Sequence, residues 1–435
     1  MDILVFGLGK SGRKLLDYYK NRANIWVYDD KEINLDELKK EYGNIRLYEK
    51  DRNYDLMALS PGPSPDHFLI REFQEKGIPV VGEVGLAMEK IKGKLLLITG
   101  TNGKTTTTSL VWEMVKRKNP RTFVGGNIGT PLIGYVEDSK IDDAYVVELS
   151  SFQLDSLASL TPYISAILNI TPDHISWHGS MEKYIQAKMN LWSQNFSSQL
   201  KIINKDDELL LSETKKRYKS LEDFYYFSTK SRVNRGAYLE NGRLFLALDQ
   251  LEEVLPVDEI SLKGEHNLAN ALAASLMARL YGVEIEDIRY VLRNFKSLEH
   301  RYEVLEEKLG RRFINDSKAT NVDSSLPAYK SAIRPTVLIA GGMDKKVPLE
   351  PLFQDWNPEI KEVIVFGEVK NQMYELAKQV AGAHIVDDLV EAFDLALSLS
   401  EEGWDILFSP ACASWDMYES FEKRGEHFKE LLRRI

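Results

Sequence analysis

The feature that most constrains the fold is a recurring pattern of a short apolar strand, a glycine-rich turn and an amphipathic helical stretch. It first occurs with the strand Asp2–Phe6, the turn at residues 7–12 and a helical stretch near residues 14–20. It recurs from Lys94–Thr99 and again from residues 336–342. Strands that alternate with helices in this way predict parallel sheets covered by helices. We therefore expect an α/β protein.

The length of the chain and the three starts of this pattern predict three domains. The 435 residues correspond to about three domains of roughly 150 residues each. We place the boundaries near residue 92 and near residue 297.

The overall composition excludes several classes of protein. The net charge of −10 and the lack of a Lys/Arg-rich block argue against a nucleic-acid partner. No apolar run approaches the ~20 residues that span a membrane, and the N-terminus lacks the features of a signal peptide. The single cysteine, Cys412, excludes an internal disulfide and a cysteine-based metal cluster. We expect a cytoplasmic monomer without membrane insertion.

The sequence Gly100-Thr101-Asn102-Gly103-Lys104-Thr105-Thr106 directly follows the apolar strand Lys94–Thr99. Its glycines let backbone N–H groups turn toward phosphate oxygens, Lys104 supplies a positive charge, and the Thr105 hydroxyl can bind Mg²⁺. A helical stretch predicted over residues 109–115 follows and adds its positive dipole end. The general pattern has a glycine where this chain has Ile98, and a glycine-rich turn with a surface lysine is the structural alternative. The loop predicts ATP or GTP binding and leaves the reaction open.

A second glycine turn, Gly7-Leu8-Gly9-Lys10-Ser11-Gly12, lies between the first strand and the first helix. With Asp29 or Asp30 at the end of the next strand, it matches the dinucleotide fingerprint, in which the acid binds a ribose hydroxyl. NAD is therefore one candidate ligand, and a dehydrogenase is one candidate function. A sugar nucleotide such as a UDP derivative presents the same diphosphate to the helix N-terminus. A tight turn without a ligand is the third alternative.

Three residues of the middle segment could carry chemistry, and each has a structural alternative. Glu148 ends a strand at the edge where open α/β sheets bind ligands, so its carboxylate could hold Mg²⁺ or cap the strand in solvent. His174 lies in a loop after another strand, where a histidine is either catalytic or structural. Lys188 has the sequence surroundings of an exposed helix lysine without a function.

Taken together, the motifs resemble those of the Mur ligase family, and the resemblance spans nearly the whole chain. The motifs shared by the family are Thr99-Gly100-Thr101-Asn102-Gly103-Lys104-Thr105, His266-Asn267-Leu268-Ala269-Asn270-Ala271 and Asn315-Asp316-Ser317-Lys318-Ala319-Thr320-Asn321. Two stretches are similar to those of members that add D-glutamate, namely Glu148-Leu149-Ser150-Ser151-Phe152-Gln153-Leu154 and Ser409-Pro410-Ala411-Cys412-Ala413-Ser414. The second stretch continues into Phe421-Glu422-Lys423-Arg424-Gly425.

The resemblance implies a fold and an activity. Residues 1–92 would form a Rossmann-like domain that binds a UDP-linked substrate. Residues 93–297 would form a central P-loop-type ATPase domain with a parallel sheet, and residues 298–435 a C-terminal Rossmann-like α/β domain that binds an amino acid. The implied reaction is the ATP-dependent addition of D-glutamate to UDP-N-acetylmuramoyl-L-alanine in peptidoglycan precursor synthesis, through an acyl phosphate. A carboxylate resists attack at neutral pH, and phosphate is a far better leaving group than oxide.

The resemblance also implies roles for residues of the catalytic centre. Lys104 and Thr105 would hold the γ-phosphate and one Mg²⁺ ion, and Glu148 would be a metal ligand. His174 would take part in the site of a second Mg²⁺ ion. Lys188 is similar to a family lysine that is N6-carboxylated (carbamylated). This modification turns a cation into an anion that can bind Mg²⁺, and it reverses the interpretation of Lys188 as an inert lysine.

Substrate contacts are implied in the same way. The residues implied to contact ATP outside the phosphate loop are Asn267 and Asn270 at the adenine, and Arg301 and Asp316 at the phosphate and ribose. The residues implied to surround D-glutamate are Lys318, Thr320, Lys345, Ser414 and the backbone near Phe421. Those implied to contact the UDP-linked substrate are Lys10, Ser11, Asp29 or Asp30, and Asn127, which is similar to a family asparagine that contacts phosphate and substrate.

Two positions depart from the family pattern or leave it ambiguous. Lys345 and Lys346 are adjacent, and either could fill the role of one family lysine. Ser176 stands where relatives usually carry an aspartate, so no role of that aspartate transfers to this chain.

Several other functions share some of these features. Folylpolyglutamate synthase has the same ATPase core but lacks the turn at residues 7–12 on a separate domain. The ligases that add L-alanine, the third residue or the dipeptide share the chemistry, but the two stretches typical of D-glutamate addition weigh against them. A nucleotide-binding regulator would not need Glu148, His174 and Lys188 together.

Overall fold

A computed structural model describes residues 1–64, 66–155, 157, 162–192, 200–262, 264–296 and 299–435. Within these ranges the chain forms three β-sheets that alternate with helices, which confirms the predicted α/β class. It divides into two compact units, residues 1–261 with 267–294 and residues 262–266 with 295–435. The first two sheets belong to the first unit and the third sheet to the second unit. The predicted boundary between residues 297 and 298 lies outside the described residues.

The first sheet is fully parallel, and its described strands have the order β3-β2-β1-β4-β5. Its elements are β1 (Asp2–Phe6), α1 (Lys10–Tyr19), β2 (Asn24–Tyr28), α2 (Leu35–Tyr42), β3 (Ile45–Leu47), β4 (Leu56–Leu59), α3 (Phe68–Glu75), β5 (Val80–Gly82) and α4 (Glu83–Met88). The strand order reverses between β1 and β4, which is where open α/β sheets form a ligand crevice at their carboxyl ends. The turn at residues 7–12 follows β1 at this point.

The second sheet has the strand order β14-β13-β12-β11-β10-β9-β6-β8-β7. Its first elements are β6 (Lys94–Thr99), α5 (Lys104–Lys118), β7 (Thr122–Gly126), β8 (Ala144–Glu148), α6 (Ser151–Asp155), β9 (Ile164–Ile167), α7 (Ile175–His178) and α8 (Met181–Met189). The later elements are β10 (Leu200–Asn204), α9 (Glu208–Arg217), β11 (Phe224–Ser228), β12 (Gly236–Glu240), β13 (Arg243–Ala247), β14 (Leu251–Pro256), α10 (Glu265–Tyr281) and α11 (Ile285–Asn294). The strands from β7 to β12 are parallel, and β13 and β14 extend the sheet as antiparallel strands.

The central strands of the second sheet are buried along almost their whole length. In β6 the residues from Leu95 to Thr99 are buried, and β8 is buried throughout. Continuous apolar runs of this kind are typical of parallel strands that are covered by helices on both faces. The phosphate loop, which follows β6, and Glu148, which ends β8, therefore lie at the carboxyl edge of a rigid sheet.

The third sheet has the strand order β15-β16-β20-β17-β18-β19, in which β15 is antiparallel and the other strands are parallel. Its elements are β15 (Glu303–Lys308), β16 (Arg311–Asn315), α12 (Val322–Lys330), β17 (Thr336–Gly341), α13 (Pro351–Gln354), β18 (Ile360–Phe366), α14 (Lys370–Ala377), β19 (Gly382–Ile385), α15 (Leu389–Leu399), β20 (Asp405–Phe408) and α16 (Phe421–Arg433). Two clusters of buried apolar residues cover the two faces of this sheet.

Two helices extend further than the sequence predicts. The helical stretch expected near residues 14–20 begins at Lys10, and the one expected at residues 109–115 spans Lys104–Lys118. Both begin inside their glycine turns, whose last residues contribute the free N–H groups of the first helical turn. No helix of the described residues has the length and apolar character needed to cross a membrane.

Candidate active site

The phosphate loop between β6 and α5 is fixed by the segment that follows β9. The N–H of Thr101 donates to the carbonyl of Asn169 at 3.0 Å, and the Thr101 hydroxyl donates to the carbonyl of Thr171 at 3.0 Å. The side chain of Asn169 accepts from the N–H of Asn102 at 2.8 Å and donates to its carbonyl at 3.0 Å. The loop is therefore held in shape by residues about 70 positions further along the chain.

Lys104 is folded over the loop that precedes it. Its Nζ donates to the carbonyl oxygens of Gly100 at 2.9 Å and Thr101 at 2.7 Å. Gly103 has a φ of +80°, and a Cβ at that position would lie 2.2 Å from Oδ1 of Asn270. A glycine is required there for both the backbone conformation and the space. The ammonium of Lys104 is thus held against the backbone of the loop that precedes it.

The remaining loop residues begin α5. Thr105 is half-buried, and Thr106 is buried one position further along the first turn. Asn270 of α10 closes the loop from the other side, because its Oδ1 accepts from the hydroxyl of Thr107 at 3.3 Å. Its Nδ2 donates to Oδ1 of Asn267 at 3.3 Å. The structure thus brings Asn270 to the phosphate loop and Asn267 next to Asn270.

Glu148 is a buried carboxylate with one oxygen left for a ligand. The residue is 1% exposed, and its Oε1 accepts from Nδ2 of Asn127 at 2.8 Å. The N–H of Asn127 also donates to the carbonyl of Glu148 at 2.9 Å. Its Oε2 is buried and has no hydrogen-bond partner among the described residues. An unpaired carboxylate oxygen is costly to bury, so a cation fits at this atom, and the alternative of a strand cap in solvent is wrong.

Lys188 is buried in α8, so its interpretation as an exposed lysine is wrong. The residue is 1% exposed, and its Nζ donates to the carbonyl oxygen of Gly100 at 2.7 Å. Burial lowers the pKa of Lys188 well below its usual value, and Lys104 lowers it further. The carboxylates of Asp173 and Glu148 act in the opposite direction. Burial is the largest of these effects, and it favours the neutral form of the amine.

His174 is held by a carboxylate and an aromatic ring. It has a φ of +53°, and its Nε2 lies 3.4 Å from Oδ2 of Asp173. The ring centroid of Phe152 lies 4.8 Å from that of His174, and Phe152 also contacts Trp177 and His178. His174 is therefore oriented by its neighbours rather than mobile in a loop. The departure at Ser176 concerns a side chain that lies outside the described structure.

In the first sheet, the predicted acids support the glycine turn. Oδ2 of Asp29 accepts from the N–H of Leu8 at 2.7 Å. Asp30 contacts Nε2 of His67 at 3.1 Å and accepts from the hydroxyl of Tyr28 at 3.3 Å. Asp29 therefore stabilises the glycine turn directly, whereas Asp30 contacts the neighbouring side chains of Tyr28 and His67.

The other two predicted contacts in this sheet lie in the first turn of α1. Ser11 is half-buried. Lys10 is exposed, and its Nζ donates to the carbonyl oxygen of Gly129 at 2.5 Å. Lys10 thereby connects the turn to the loop after β7, which the sequence did not predict.

In the third sheet, Asp316 is buried at the end of β16. Its Oδ2 accepts from the hydroxyl of Ser409 at 2.7 Å, and its Oδ1 accepts from the N–H of Tyr302 at 3.0 Å. Burial raises the pKa of Asp316 to about 7, although these hydrogen bonds and the charge of Arg301 act in the opposite direction. Arg301 is thus close enough to Asp316 to act on its charge.

The residues predicted around D-glutamate lie in three loops of the second unit. The ammonium of Lys318 lies 4.0 Å from the ring centroid of Phe421, and Ser414 is buried. Thr320 and Lys345 are half-buried. By contrast, Lys346 is exposed and its Nζ is paired with Asp344 at 2.7 Å. Lys345 is thus the more buried of the two adjacent lysines.

The sequence did not single out Arg424, which joins two of these loops. Arg424 is fully buried and donates to the hydroxyl and the carbonyl of Ser317 at 3.1 and 2.9 Å. It also donates to the carbonyls of Cys412 at 3.0 Å and Ala413 at 3.2 Å. The only sequence signal was its place in the stretch Phe421-Glu422-Lys423-Arg424-Gly425. Four bonds from one guanidinium fix the positions of the loops relative to each other.

Two parts of the chain match protein-family models. Residues 98–278 match the model described as Mur ligase middle domain. Residues 300–412 match the model described as Mur ligase, glutamate ligase domain. Together the two matches cover more than half of the chain.

Similar curated proteins match over most of the chain. The UDP-N-acetylmuramoylalanine–D-glutamate ligase of Clostridioides difficile is 40% identical over 442 aligned residues, which cover 98% of this chain and 97% of that protein. The protein of the same name from Alkaliphilus oremlandii is 41% identical over 381 residues, which cover 87% of this chain and 83% of that protein.

Two solved structures of ligases have a similar fold. The UDP-N-acetylmuramate-alanine ligase MurC of Thermotoga maritima superposes with a TM-score of 0.64 at 18% identity, covering 100% of this chain and 99% of that one. The MurF ligase of Thermotoga maritima in complex with ADP superposes with a TM-score of 0.60 at 20% identity, covering 100% and 95%. At these identities the likeness concerns the fold alone.

Proposed function

This chain belongs to the Mur ligase family, and we propose that it joins D-glutamate to UDP-N-acetylmuramoyl-L-alanine with conversion of ATP to ADP and phosphate. Relatives at 40% and 41% identity carry the name of that ligase, and the match to a glutamate ligase domain supports the amine substrate. The observation that carries the proposal is the buried amine of Lys188, bonded to Gly100 of the phosphate loop. A protein that only binds a nucleotide has no need of a buried amine there.

The chemistry requires activation, because a carboxylate resists attack by an amine near neutral pH. Transfer of the γ-phosphoryl group of ATP to an oxygen of the L-alanyl carboxylate gives an acyl phosphate and ADP. The amine of D-glutamate then attacks the carbonyl carbon, and phosphate leaves with that oxygen. Lys104 and the N–H groups of the loop stabilise the charge of the phosphoryl group as it moves. We propose that Nζ of Lys104 exchanges the carbonyls of Gly100 and Thr101 for phosphate oxygens.

Mg²⁺ fits the groups at this edge of the second sheet. The unpartnered Oε2 of Glu148 is a hard, anionic oxygen of the type that Mg²⁺ prefers. We propose that Thr105, Glu148, His174 and the carbamylated Lys188 hold two Mg²⁺ ions. Bound Mg²⁺ would neutralise charge on the phosphate oxygens. Asn127 supports this arrangement, because its amide fixes one oxygen of Glu148 and so directs the other.

The carbamylation of Lys188 is supported by the state of its amine. Only a neutral amine attacks CO₂, and burial beside Lys104 lowers the pKa of Lys188, which favours the neutral form. The nitrogen forms a bond to the carbon of CO₂ and loses a proton, which leaves a carbamate anion. The carbamate would place an anionic oxygen ligand for Mg²⁺ beside Gly100, where the unmodified lysine has only an amine.

The substrate sites follow from the resemblance and the observed positions. For ATP we propose Asn267 and Asn270 at the adenine and Arg301 and Asp316 at the phosphate and ribose. For D-glutamate we propose Lys318, Thr320, Lys345, Ser414 and the backbone near Phe421. For the UDP-linked substrate we propose Lys10, Ser11, Asp29, Asp30 and Asn127. Lys318 and Lys345 supply the positive charge that a dicarboxylate requires.

We assign the protein to the cytoplasm, where ATP and a reducing environment are available. The single cysteine, Cys412, is free and buried, which suits such an environment. That the protein acts as a monomer stays a prediction.

The experiment that tests the function measures the release of ADP and phosphate with ATP, Mg²⁺ and UDP-N-acetylmuramoyl-L-alanine, with and without D-glutamate. We expect release that depends on both substrates, and no release with L-glutamate in place of D-glutamate. Release with another amino acid would keep the chemistry and overturn the substrate. Lack of release in all mixtures would contradict the proposal and favour a regulator or, if NAD(P) binds, a dehydrogenase.

A further inference from the structure

Lys10 joins the first glycine turn to a loop of the second sheet. It is the first residue of α1, and its Nζ donates to the carbonyl oxygen of Gly129, 119 positions along the chain, at 2.5 Å. Gly129 lies in the loop after β7, two residues beyond Asn127. The ammonium of Lys10, a proposed contact of the UDP-linked substrate, is therefore bonded to the loop that carries Asn127.

A glycine lies on each side of residues 127–128. Because glycine restricts the backbone little, contacts with other residues determine the conformation of this loop. Gly126 has a φ of +90° and Gly129 a φ of +71°. At the near end, a Cβ on Gly126 would lie 2.2 Å from the carbonyl oxygen of Glu148. The backbone thus passes close to Glu148, and Asn127 is bonded to Glu148 through both its N–H and its side chain. At the far end, the contact with Lys10 closes the loop.

The segment that follows this loop makes its own contacts with α4 and with the turn after α1. The N–H of Ile133 donates to Oε1 of Glu83 at 2.7 Å, and Arg22 pairs with Glu137 at 2.7 Å. These contacts fix the chain beyond Gly129 without Lys10. A change at Lys10 is therefore expected to act on residues 127–129 alone.

We propose that Lys10 is a positioning residue that couples the UDP-linked substrate to the Asn127–Glu148 pair. This proposal rests on the proposed function. An ammonium has three donors, so Lys10 can bind a phosphate oxygen and the carbonyl of Gly129 at the same time. Without the anion, an exposed bond of this kind contributes little to stability. When the diphosphate binds, Lys10 is held in place, and the bond to Gly129 then fixes Asn127 and the oxygen of Glu148 that it orients.

Such a residue has a kinetic signature that differs from that of a simple phosphate contact. A contact that only binds the substrate raises KM and leaves kcat unchanged. A residue that also positions Asn127 lowers kcat in addition, because small displacements at a reacting centre are costly. For Lys10→Met we expect a rise in KM for UDP-N-acetylmuramoyl-L-alanine and a fall in kcat, each of about tenfold. Lys10→Arg, which keeps the charge and its donors, is expected to restore most of kcat.

The test is steady-state kinetics of the full chain, combined with a double-mutant cycle. Lys20→Met removes one exposed lysine charge just beyond the same helix and serves as the matched control. Because Lys10 acts through Asn127, the effects of Lys10→Met and Asn127→Ala on kcat are expected to be non-additive, so that the double variant is no more than about threefold slower than Asn127→Ala alone.

The outcomes separate this proposal from the proposed function. An inactive wild-type protein would refute the ligase itself. An active wild type in which Lys10→Met changes KM alone, or changes nothing, would refute the positioning role. The role would also be refuted by additive effects of the two substitutions, or by a Lys20→Met variant that is as impaired as Lys10→Met.

Discussion

Nζ of Lys188 donates a hydrogen bond to the carbonyl oxygen of Gly100 at 2.7 Å, which joins α8 to the first residue of the phosphate loop. The lysine is buried, and Nζ of Lys104 bonds to the same carbonyl at 2.9 Å. Two amines therefore converge on one acceptor, where two full positive charges would repel each other. This repulsion is absent if Lys188 is neutral, and it becomes an attraction to Lys104 if Lys188 carries a negative charge.

Replacement of Lys188 tests the carbamate directly. We expect Lys188→Ala to lower kcat by about 10² or more, because a proposed Mg²⁺ ligand beside the phosphate loop is lost. Acetate is expected to restore part of the activity by occupying the vacated space as an anion. Lys183→Ala, on the exposed face of the same helix, is the control and is expected to behave as wild type. Normal activity of Lys188→Ala without acetate would exclude the carbamate.

Replacement of Lys104 tests the phosphate loop. Lys104→Ala is expected to lower kcat/KM for ATP by at least about 10², because the loop loses its charge at the transferring phosphoryl group. The melting temperature and circular dichroism are expected to stay close to those of the wild type. Lys116→Ala, on the exposed part of α5, is the matched control. Substantial ATP turnover by a folded Lys104→Ala variant would count against the assignment of the loop.

Glu83 makes stability depend on pH. Burial raises its pKa to about 7 from an ordinary value of 4.5, although it accepts bonds from the N–H groups of Leu132 and Ile133. The folded protein therefore keeps a proton that the unfolded chain releases in this interval, and stability falls as the pH rises from 4.5 to about 7. Glu83→Gln removes this titration. Relative to wild type, we expect the variant to gain about 3 kcal/mol between pH 4.5 and pH 8.

Thermal or urea unfolding at several pH values measures this gain for the Glu83 variant. Glu89→Gln, at an exposed position just beyond α4, is the control and is expected to show a pH profile parallel to that of wild type. A Glu83→Gln profile that is also parallel to wild type would contradict the raised pKa.

Arg424 is expected to support both stability and the amine site. Arg424→Met leaves the carbonyls of Ser317, Cys412 and Ala413 without their donor, which is expected to lower the free energy of unfolding by about 3 kcal/mol. Because Ser317 precedes a proposed D-glutamate contact, KM for D-glutamate is expected to rise more than KM for ATP. Lys423→Met, at the exposed neighbouring position, is the control. Equal changes of both KM values would contradict a local effect on the amine site.

Much of the fold follows from local sequence patterns. The strand Lys94–Thr99 has the predicted bounds, and the strand Ala144–Glu148 ends at Glu148 as predicted, because continuous apolar runs leave few alternatives. The phosphate loop was predicted for the same reason, since its glycines and Lys104 are neighbours in sequence. The position of Glu148 at the carboxyl edge followed from the rule that parallel strands bind ligands there.

The features that were missed depend on contacts between distant parts of the chain. The local pattern around Lys188 is that of a surface lysine, and only the family resemblance singled this residue out. Its burial results from the packing of α8 against the loop that begins at Gly100. The same applies to Lys10 and Gly129, which are 119 positions apart. Arg424 lies in a recognised stretch, but its bonds to two loops become visible only when the third sheet is folded.

The most direct test of the proposed reaction follows one oxygen atom. UDP-N-acetylmuramoyl-L-alanine with ¹⁸O in its alanyl carboxylate is incubated with the protein, ATP, Mg²⁺ and D-glutamate, and the released phosphate is analysed by mass spectrometry. We expect each phosphate to carry one labelled oxygen, because the phosphoryl group leaves with the carboxylate oxygen that it was transferred to. Unlabelled phosphate, released in step with the amide product, would contradict activation of the carboxylate as an acyl phosphate.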